Sequence, residues 1–155
     1  MTRITALVLA AFFPLALLPA ASGAADGTAP DAPPLIRPAD GIELSMFLWQ
    51  NRPIVIFADT ANDPRYIDQI EMLEAEAARL VERDMVVLTD TDPAARSPVR
   101  QKLRPRGFQV VLIDKDGGVM LRRPFPQSVR EITRSIDKTP LRQREIEERR
   151  AAPTE

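Results

Sequence analysis

Neither cysteine nor histidine occurs among the 155 residues, and these absences bound the chemistry open to the chain. Without a thiolate there is no disulfide exchange, no cysteine nucleophile and no thiolate-bound metal. Without imidazole the commonest general base, the Ser-His triads and the usual zinc ligands are gone. Any catalysis must rest on carboxylates, Lys, Tyr, Ser or Thr. Two groups of residues stand out. Asp90 and Asp92 flank Thr91 just after the apolar run MVVL, a spacing that lets two carboxylates share Mg²⁺ or Ca²⁺. Asp59, Thr60, Asn62 and Asp63 follow a second apolar run, IVIFA, with Arg65 close behind.

The first pair points to a metal-dependent hydrolase acting on a phosphorylated or glycosidic substrate. Against it, Asp92-Pro93 is a strong turn opener in its own right. The second group lies where a strand gives way to a helix. Free backbone N–H groups there favour anions, and ligands of α/β folds bind at such strand ends. Arg65 can clamp a carboxylate or phosphate, whereas Asp59 and Asp63 oppose an anion, and Asp63 serves equally well as a helix cap. The sequence Lys115-Asp116-Gly117-Gly118 lacks the glycine spacing of a phosphate loop and reads as a hairpin turn. Arg122, Arg123, Arg130 and Arg134 read as solvated charges, some of them protecting a sheet edge. The net charge of −1 advertises no affinity for nucleic acid or anionic lipid.

The elements that must position these residues follow from local pattern. Residues 54–58 (IVIFA), 85–88 (MVVL) and 108–113 (FQVVLI) are short apolar, β-branched runs, as expected of buried strands. Asp63-Pro64 and Ser97-Pro98 each pair a capping side chain with proline at the first helical position. Tyr66, Ile70, Leu73, Ala77 and Leu80 recur at helical spacing, predicting one helix over 64–83. Residues 116–118 turn the third strand into a fourth at 119–121, and Val129, Ile132 and Ile136 space a final core helix. Residues 42–49 (IELSMFLW) make a short helix or strand whose Met46, Phe47 and Trp49 contact the core or form a flap. The segment LRQREIEERR after Thr139-Pro140 is charged on nearly all sides and reads as a solvated helix or fraying tail. The order is β-α-β-α-β-β-α. A long crossover between the first two strands implies a right-handed parallel unit, and the hairpin adds an antiparallel edge. The expected fold is α/β, a four-stranded mixed sheet between two helical layers.

The first 24 residues have the layout of an export signal. A positive start ending at Arg3 precedes an apolar stretch over 4–18, and Ser22-Gly23-Ala24 fits the small-x-small cleavage pattern. The apolar stretch is shorter than the roughly 20 residues that a membrane span requires. Residues 25–40, rich in Pro, Ala and Asp, read as a flexible linker. The folded domain is expected over 41–139 and the charged segment over 140–155.

Four segments carry a family resemblance: FADTANDPR (57–65), RDMVVLTDTD (83–92), GFQVVLIDKDGGVMLRR (107–123) and IDKTPLRQRE (136–145). Together they resemble domain of unknown function family 4174, the P-DUDES group within the thioredoxin-like superfamily, over roughly 41–145. That group occurs in exported bacterial proteins and in animal extracellular sushi-repeat proteins. The resemblance implies a thioredoxin-like three-layer sandwich and an extracytoplasmic setting, and it brings no activity. It also implies that Arg106 and Phe108 lie opposite the turn at 59–63. A working thioredoxin carries Cys-x-x-Cys in that turn, where this chain has Thr60-Ala61-Asn62-Asp63, and a cis-proline where this chain has Phe108. Both halves of a redox site are missing.

These readings converge on a redox-inactive binding or interaction module, periplasmic or secreted after cleavage, with Asp59, Thr60, Asn62, Arg65, Arg106 and Phe108 as candidate binding residues. They imply no cofactor, no bound metal and no permanent membrane anchor. The expected partner is a protein, a peptide or a small anion in the cell envelope. The hydrolase using Asp90 and Asp92 is the alternative.

Overall fold

The computed structural model describes residues 34–152. The expected export signal and most of the expected linker lie outside the described residues. No helix among the described residues is long and apolar enough to cross a membrane.

Five strands form one sheet: β1 (Ile36–Pro38), β2 (Arg52–Phe57), β3 (Met85–Asp90), β4 (Gln109–Ile113) and β5 (Val119–Arg123), in the order β1-β3-β2-β4-β5. β3 runs parallel to both β1 and β2, while β4 is antiparallel to β2 and to β5. The expected mixed sheet is therefore present with one strand more than the expected four. The extra strand is built from residues expected in the linker. Its pairing continues beyond its ends: the Val87 amide donates to the Leu35 carbonyl at 2.8 Å and the Ala39 amide to the Thr89 carbonyl at 2.9 Å. Three residues between prolines are too few to show a period-2 pattern. Pro38 is tolerated because an edge strand need not donate on its outer side.

Alternate residues of the central strands face opposite ways, and both faces are buried, which is why these strands read as continuous apolar runs. Ile54, Ile56, Val87, Val110 and Leu112 pack with Leu73, Leu80, Ile132 and Ile136 from α1 (Pro64–Ala75), α2 (Ala77–Val81) and α4 (Val129–Asp137). Val55, Phe57, Leu88, Val111 and Ile113 pack with Leu44, Phe47, Val99 and Leu103 on the other face. That second layer is made by a short 3₁₀ helix (Leu44–Phe47) and α3 (Pro98–Leu103). The result is the expected three-layer sandwich.

The caps are where the local chemistry put them. Asp63 accepts the Arg65 amide at 2.9 Å to start α1, and Ser97 accepts the Arg100 amide at 3.0 Å to start α3. Ser128 and Glu131 add a reciprocal capping box at the start of α4. In the β4–β5 hairpin the Asp114 amide donates to the Gly118 carbonyl at 2.8 Å, and Gly117 takes a positive φ of 86° that suits glycine.

Three local expectations need correction. The helix expected over 64–83 is interrupted at Glu76, whose φ and ψ of −120° and 30° leave the helical region between α1 and α2. No Gly or Pro marks that break, so periodicity runs through it. Of the three large side chains expected on the core or a flap, Phe47 is buried, but Met46 and Trp49 are 61% and 69% exposed. The 3₁₀ geometry turns only Leu44 and Phe47 inward.

The third correction concerns the charged C-terminal segment. It forms α5 (Pro140–Ala151), capped by Thr139, and buries Arg142 to 2% exposure. Its Glu145 reaches the start of β2, where Arg52 is fully buried. Arg52 donates to Glu145 through Nη2 at 3.0 Å and Nη1 at 3.1 Å, to Asp114 Oδ1 through Nε at 2.8 Å, and to the Arg83 carbonyl at 3.1 Å. Lys115 closes the network on Asp84 at 2.8 Å and on Glu145 at 2.9 Å. Burial works against ionisation of Glu145, but hydrogen bonds from Arg52, Lys115 and Arg142 outweigh it and hold its pKa at about 2. A segment that is polar on every side docks here by pairing charge rather than by an apolar face.

Candidate functional site

At the other end of β2 the chain leaves the sheet through Ala58, whose amide donates to the Asp90 carbonyl at 3.0 Å. Asp59, Thr60 and Asn62 are then exposed. The turn is tied internally: the Asn62 amide donates to Thr60 Oγ1 at 3.3 Å, and the Asp63 amide to the Thr60 carbonyl at 3.2 Å. Arg65 folds back on the cap residue, with Nε 3.0 Å from Asp63 Oδ1 and Nη2 2.7 Å from Oδ2. That bidentate pair holds the Asp63 carboxyl below the usual carboxylate range, with desolvation opposing it. It raises the already high Arg65 pKa in the same way, Asp59 adding a weaker attraction.

The loop between α3 and β4 comes up beside this turn. Arg104 and Gly107 both take positive φ, 48° and 60°, and bend the chain sharply. A Cβ on Gly107 would lie 3.8 Å from Asp59 Oδ2, so the loop touches the first residue of the turn. Phe108 is buried beneath, and the Arg65 guanidinium lies over its ring at 5.2 Å. Arg106 is exposed and makes no hydrogen bond or ion pair among the described residues. Asp59, Arg65 and Phe108 are thus brought together, with Arg106 on the adjoining loop. Thr60 and Asn62 serve the turn's own hydrogen bonds. Arg65 remains 53% exposed at its side chain despite its pair, and its Nη1 has no partner among the described residues.

The base of this region is fixed by residues outside the expected binding set. Arg100, on α3, donates through Nε and Nη2 to Asp90 Oδ1 at 2.9 and 2.7 Å. The same Nη2 reaches the carbonyls of Ala58 and Asp90, both at 3.0 Å, and the guanidinium lies 5.3 Å from the Phe57 ring centroid. Ser97 Oγ donates to Asp90 Oδ2 at 2.5 Å. One guanidinium therefore gathers the carbonyl ends of β2 and β3 just below the exposed turn. No local signal marks it, because a strand-end aspartate reads the same whichever partner it meets.

This arrangement gives the hydrolase alternative no support. Both oxygens of the buried Asp90 are spent on Arg100 and Ser97, and a bound cation would have to displace a guanidinium. Asp92 is exposed and caps the short 3₁₀ helix Pro93–Ala95 by accepting the Ala94 amide at 2.9 Å. Among the described residues no group of three or more His, Cys, Asp or Glu side chains converges to hold a metal ion.

Residues 43–145, well over half of the chain, match the family DUF4174, a domain of unknown function. The chain belongs to the DUF4174 family. No curated protein matches this DUF4174 chain. Among solved structures, it is similar to chloroplastic thioredoxin z, with 22% identity and a TM-score of 0.52 over 66% of this chain and 92% of that one. It is similar too to reduced Plasmodium vivax 2-Cys peroxiredoxin, with 18% identity and a TM-score of 0.52 over 67% of this chain and 85% of that one. At these identities the likeness establishes a thioredoxin-like fold and nothing further. The DUF4174 chain has that fold without any cysteine in its 155 residues, so they contain no thiol for redox exchange.

Proposed function

We propose that this protein is an exported, redox-inactive binding module that recognises a carboxylate-bearing peptide or protein with the end of the sheet where thioredoxins carry their thiols. The observation that carries this reading is that two exposed arginines, Arg65 and Arg106, lie on segments held in contact through Asp59–Gly107 and Arg65–Phe108. Arg65 is stacked and already oriented, so it loses little rotamer freedom when a second carboxylate bridges to its free Nη1. Arg106 has no carboxylate of its own among the described residues. Asp59 limits the site to partners that bring a hydrogen-bond donor with the acid, because a bare anion meets its repulsion.

Export is supported by the charged start, the apolar stretch over 4–18 and the small residues at 22–24. On this reading the mature chain begins at Ala25 and is recovered outside the cytoplasm, which mass measurement of the fractionated protein checks. Chemical crosslinking in intact cells, comparing the wild-type chain with an Arg65→Glu/Arg106→Glu variant, tests the binding surface. A partner present in the first and absent from the second supports the reading. A partner retained by both removes this end of the sheet from consideration.

A further inference from the structure

A cleft that shares no lining residue with the Arg65 turn lies between the 3₁₀ helix Leu44–Phe47, the last turn of α3 and the β4–β5 hairpin. It encloses about 300 Å³, the lower end of the range for small-molecule sites. Its floor is apolar, with Leu103 and Ile113 from the core, and its rim carries Leu48 and Val119, which are 40% and 49% exposed. Large aliphatic side chains left in water around a cleft with an apolar floor mark a surface suited to binding.

The charges around the cleft are one-sided. Its only lining acid, Asp114, is already neutralised by Arg52 Nε at 2.8 Å and accepts the Lys115 amide at 2.8 Å. Its two lining cations are not neutralised. Lys102 is exposed and has no carboxylate partner among the described residues. Arg122 uses Nη1 on the Leu103 carbonyl at 2.9 Å and on Gln109 Oε1 at 2.8 Å, contacts that leave its charge unpaired and its Nε and Nη2 open among the described residues. An apolar cleft with two unpaired cations and one spent acid complements an apolar body that ends in a single negative charge. It disfavours a cation of the same shape.

We infer that this cleft is a binding site for a small apolar monocarboxylate, its hydrocarbon seated against Leu48, Leu103, Ile113 and Val119 and its carboxylate between Lys102 and Arg122. The site is independent of the Arg65 surface, because it shares no residue with it. Trp49, the only tryptophan of the chain, follows Leu48, and its backbone amide donates to the Lys115 carbonyl at 2.7 Å. It offers a local reporter at the rim.

The test is a titration of the full mature chain with octanoate, octanol and octylammonium below their aggregation concentrations. The methyl resonances of Leu48, Leu103, Ile113 and Val119 are followed together with Trp49 fluorescence. The inference requires saturable shifts of those methyls with octanoate, weaker binding of octanol, and octylammonium weakest of the three. Lys102→Glu lies on an exposed helical position that the fold does not need, and it should weaken octanoate roughly tenfold while strengthening octylammonium. Leu48→Ala should weaken all three probes. Absence of methyl shifts with octanoate overturns the inference, as does an octanoate affinity that Lys102→Glu leaves unchanged. Self-association of the chain that buries Leu48 and Val119 and excludes octanoate overturns it as well.

Discussion

At the start of β2, Arg52 is sealed from water and every donor on its guanidinium that the network uses meets an oxygen of Asp114, Glu145 or the Arg83 backbone. At the far end of the same strand, beyond Phe57, the charges are layered instead. Half-buried Arg100 pairs with buried Asp90, and above them Asp59, Arg65 and Arg106 face solvent, with only Arg65 paired among the described residues. Both ends hold arginines and carboxylates at hydrogen-bond distance, yet the chemistry they permit differs. The first end uses its charges to attach α5, a helix with too little apolar surface to dock otherwise. The second uses one pair to fix the strand ends and leaves the remaining charges facing solvent, the surface proposed above for recognition. Counting ion pairs would treat the two ends alike; burial and partner saturation separate stability from recognition.

The largest effect that sharpens this contrast is expected at Glu145. Glu145→Ala leaves Arg52 buried with only half of its carboxylate partners, and it should destabilise the fold by about 3–5 kcal/mol in urea unfolding. Loss of α5 alone, with the sheet still intact, would instead place the network outside the cooperative core.

The same residue sets an acid dependence. Its folded pKa of about 2 lies below the ordinary 4.5, so its ionised form stabilises the fold. That contribution is fully present above about 4.5 and fades as pH falls towards 2, about 3 kcal/mol in all at 1.36 kcal/mol per unit. Plotted against pH, the stability difference between wild type and Glu145→Gln should shrink through that window. A difference that stays constant from pH 6 to pH 2 would contradict the network's role.

Next in size is Asp90→Asn, which keeps the shape but removes the charge facing Arg100. We expect about 2–3 kcal/mol of destabilisation, and no change in the melting temperature of the wild-type chain on adding Mg²⁺ or Ca²⁺. Stabilisation by either cation that Asp90→Asn abolishes would favour the metal-dependent alternative. The smallest effect on stability belongs to Arg65→Ala, which removes a solvent-exposed pair and should leave the melting temperature within error.

Much of this fold could be read from the chain. The three central strands are buried on both faces and announce themselves as IVIFA, MVVL and FQVVLI, and the caps at Asp63, Ser97 and Thr139 operate within three residues of sequence. What escaped was decided by distant partners. Ile36–Pro38 is a strand because β3 offers it an edge, not because of its own pattern. Arg142 is buried and Glu145 half-buried because oppositely charged groups from β2, the hairpin and the end of α2 converge on them from as far as 93 residues away. At the candidate site, the turn and its helix cap were local and legible, and the family resemblance implied the approach of Arg106 and Phe108. The spending of Asp90 on Arg100 was not legible. A strand-end carboxylate looks the same in sequence whether it faces a cation or a guanidinium.

The central claim is that the Arg65–Arg106 end of the sheet is a recognition surface that the fold itself does not need. In-cell crosslinking of Arg65→Glu/Arg106→Glu beside wild type, with the melting temperature of each purified chain, tests both halves together. The account predicts a partner captured by wild type and lost from the variant, at equal melting temperatures. Retention of the partner by the stable variant, or a variant that loses its partner only because it no longer folds, would contradict it.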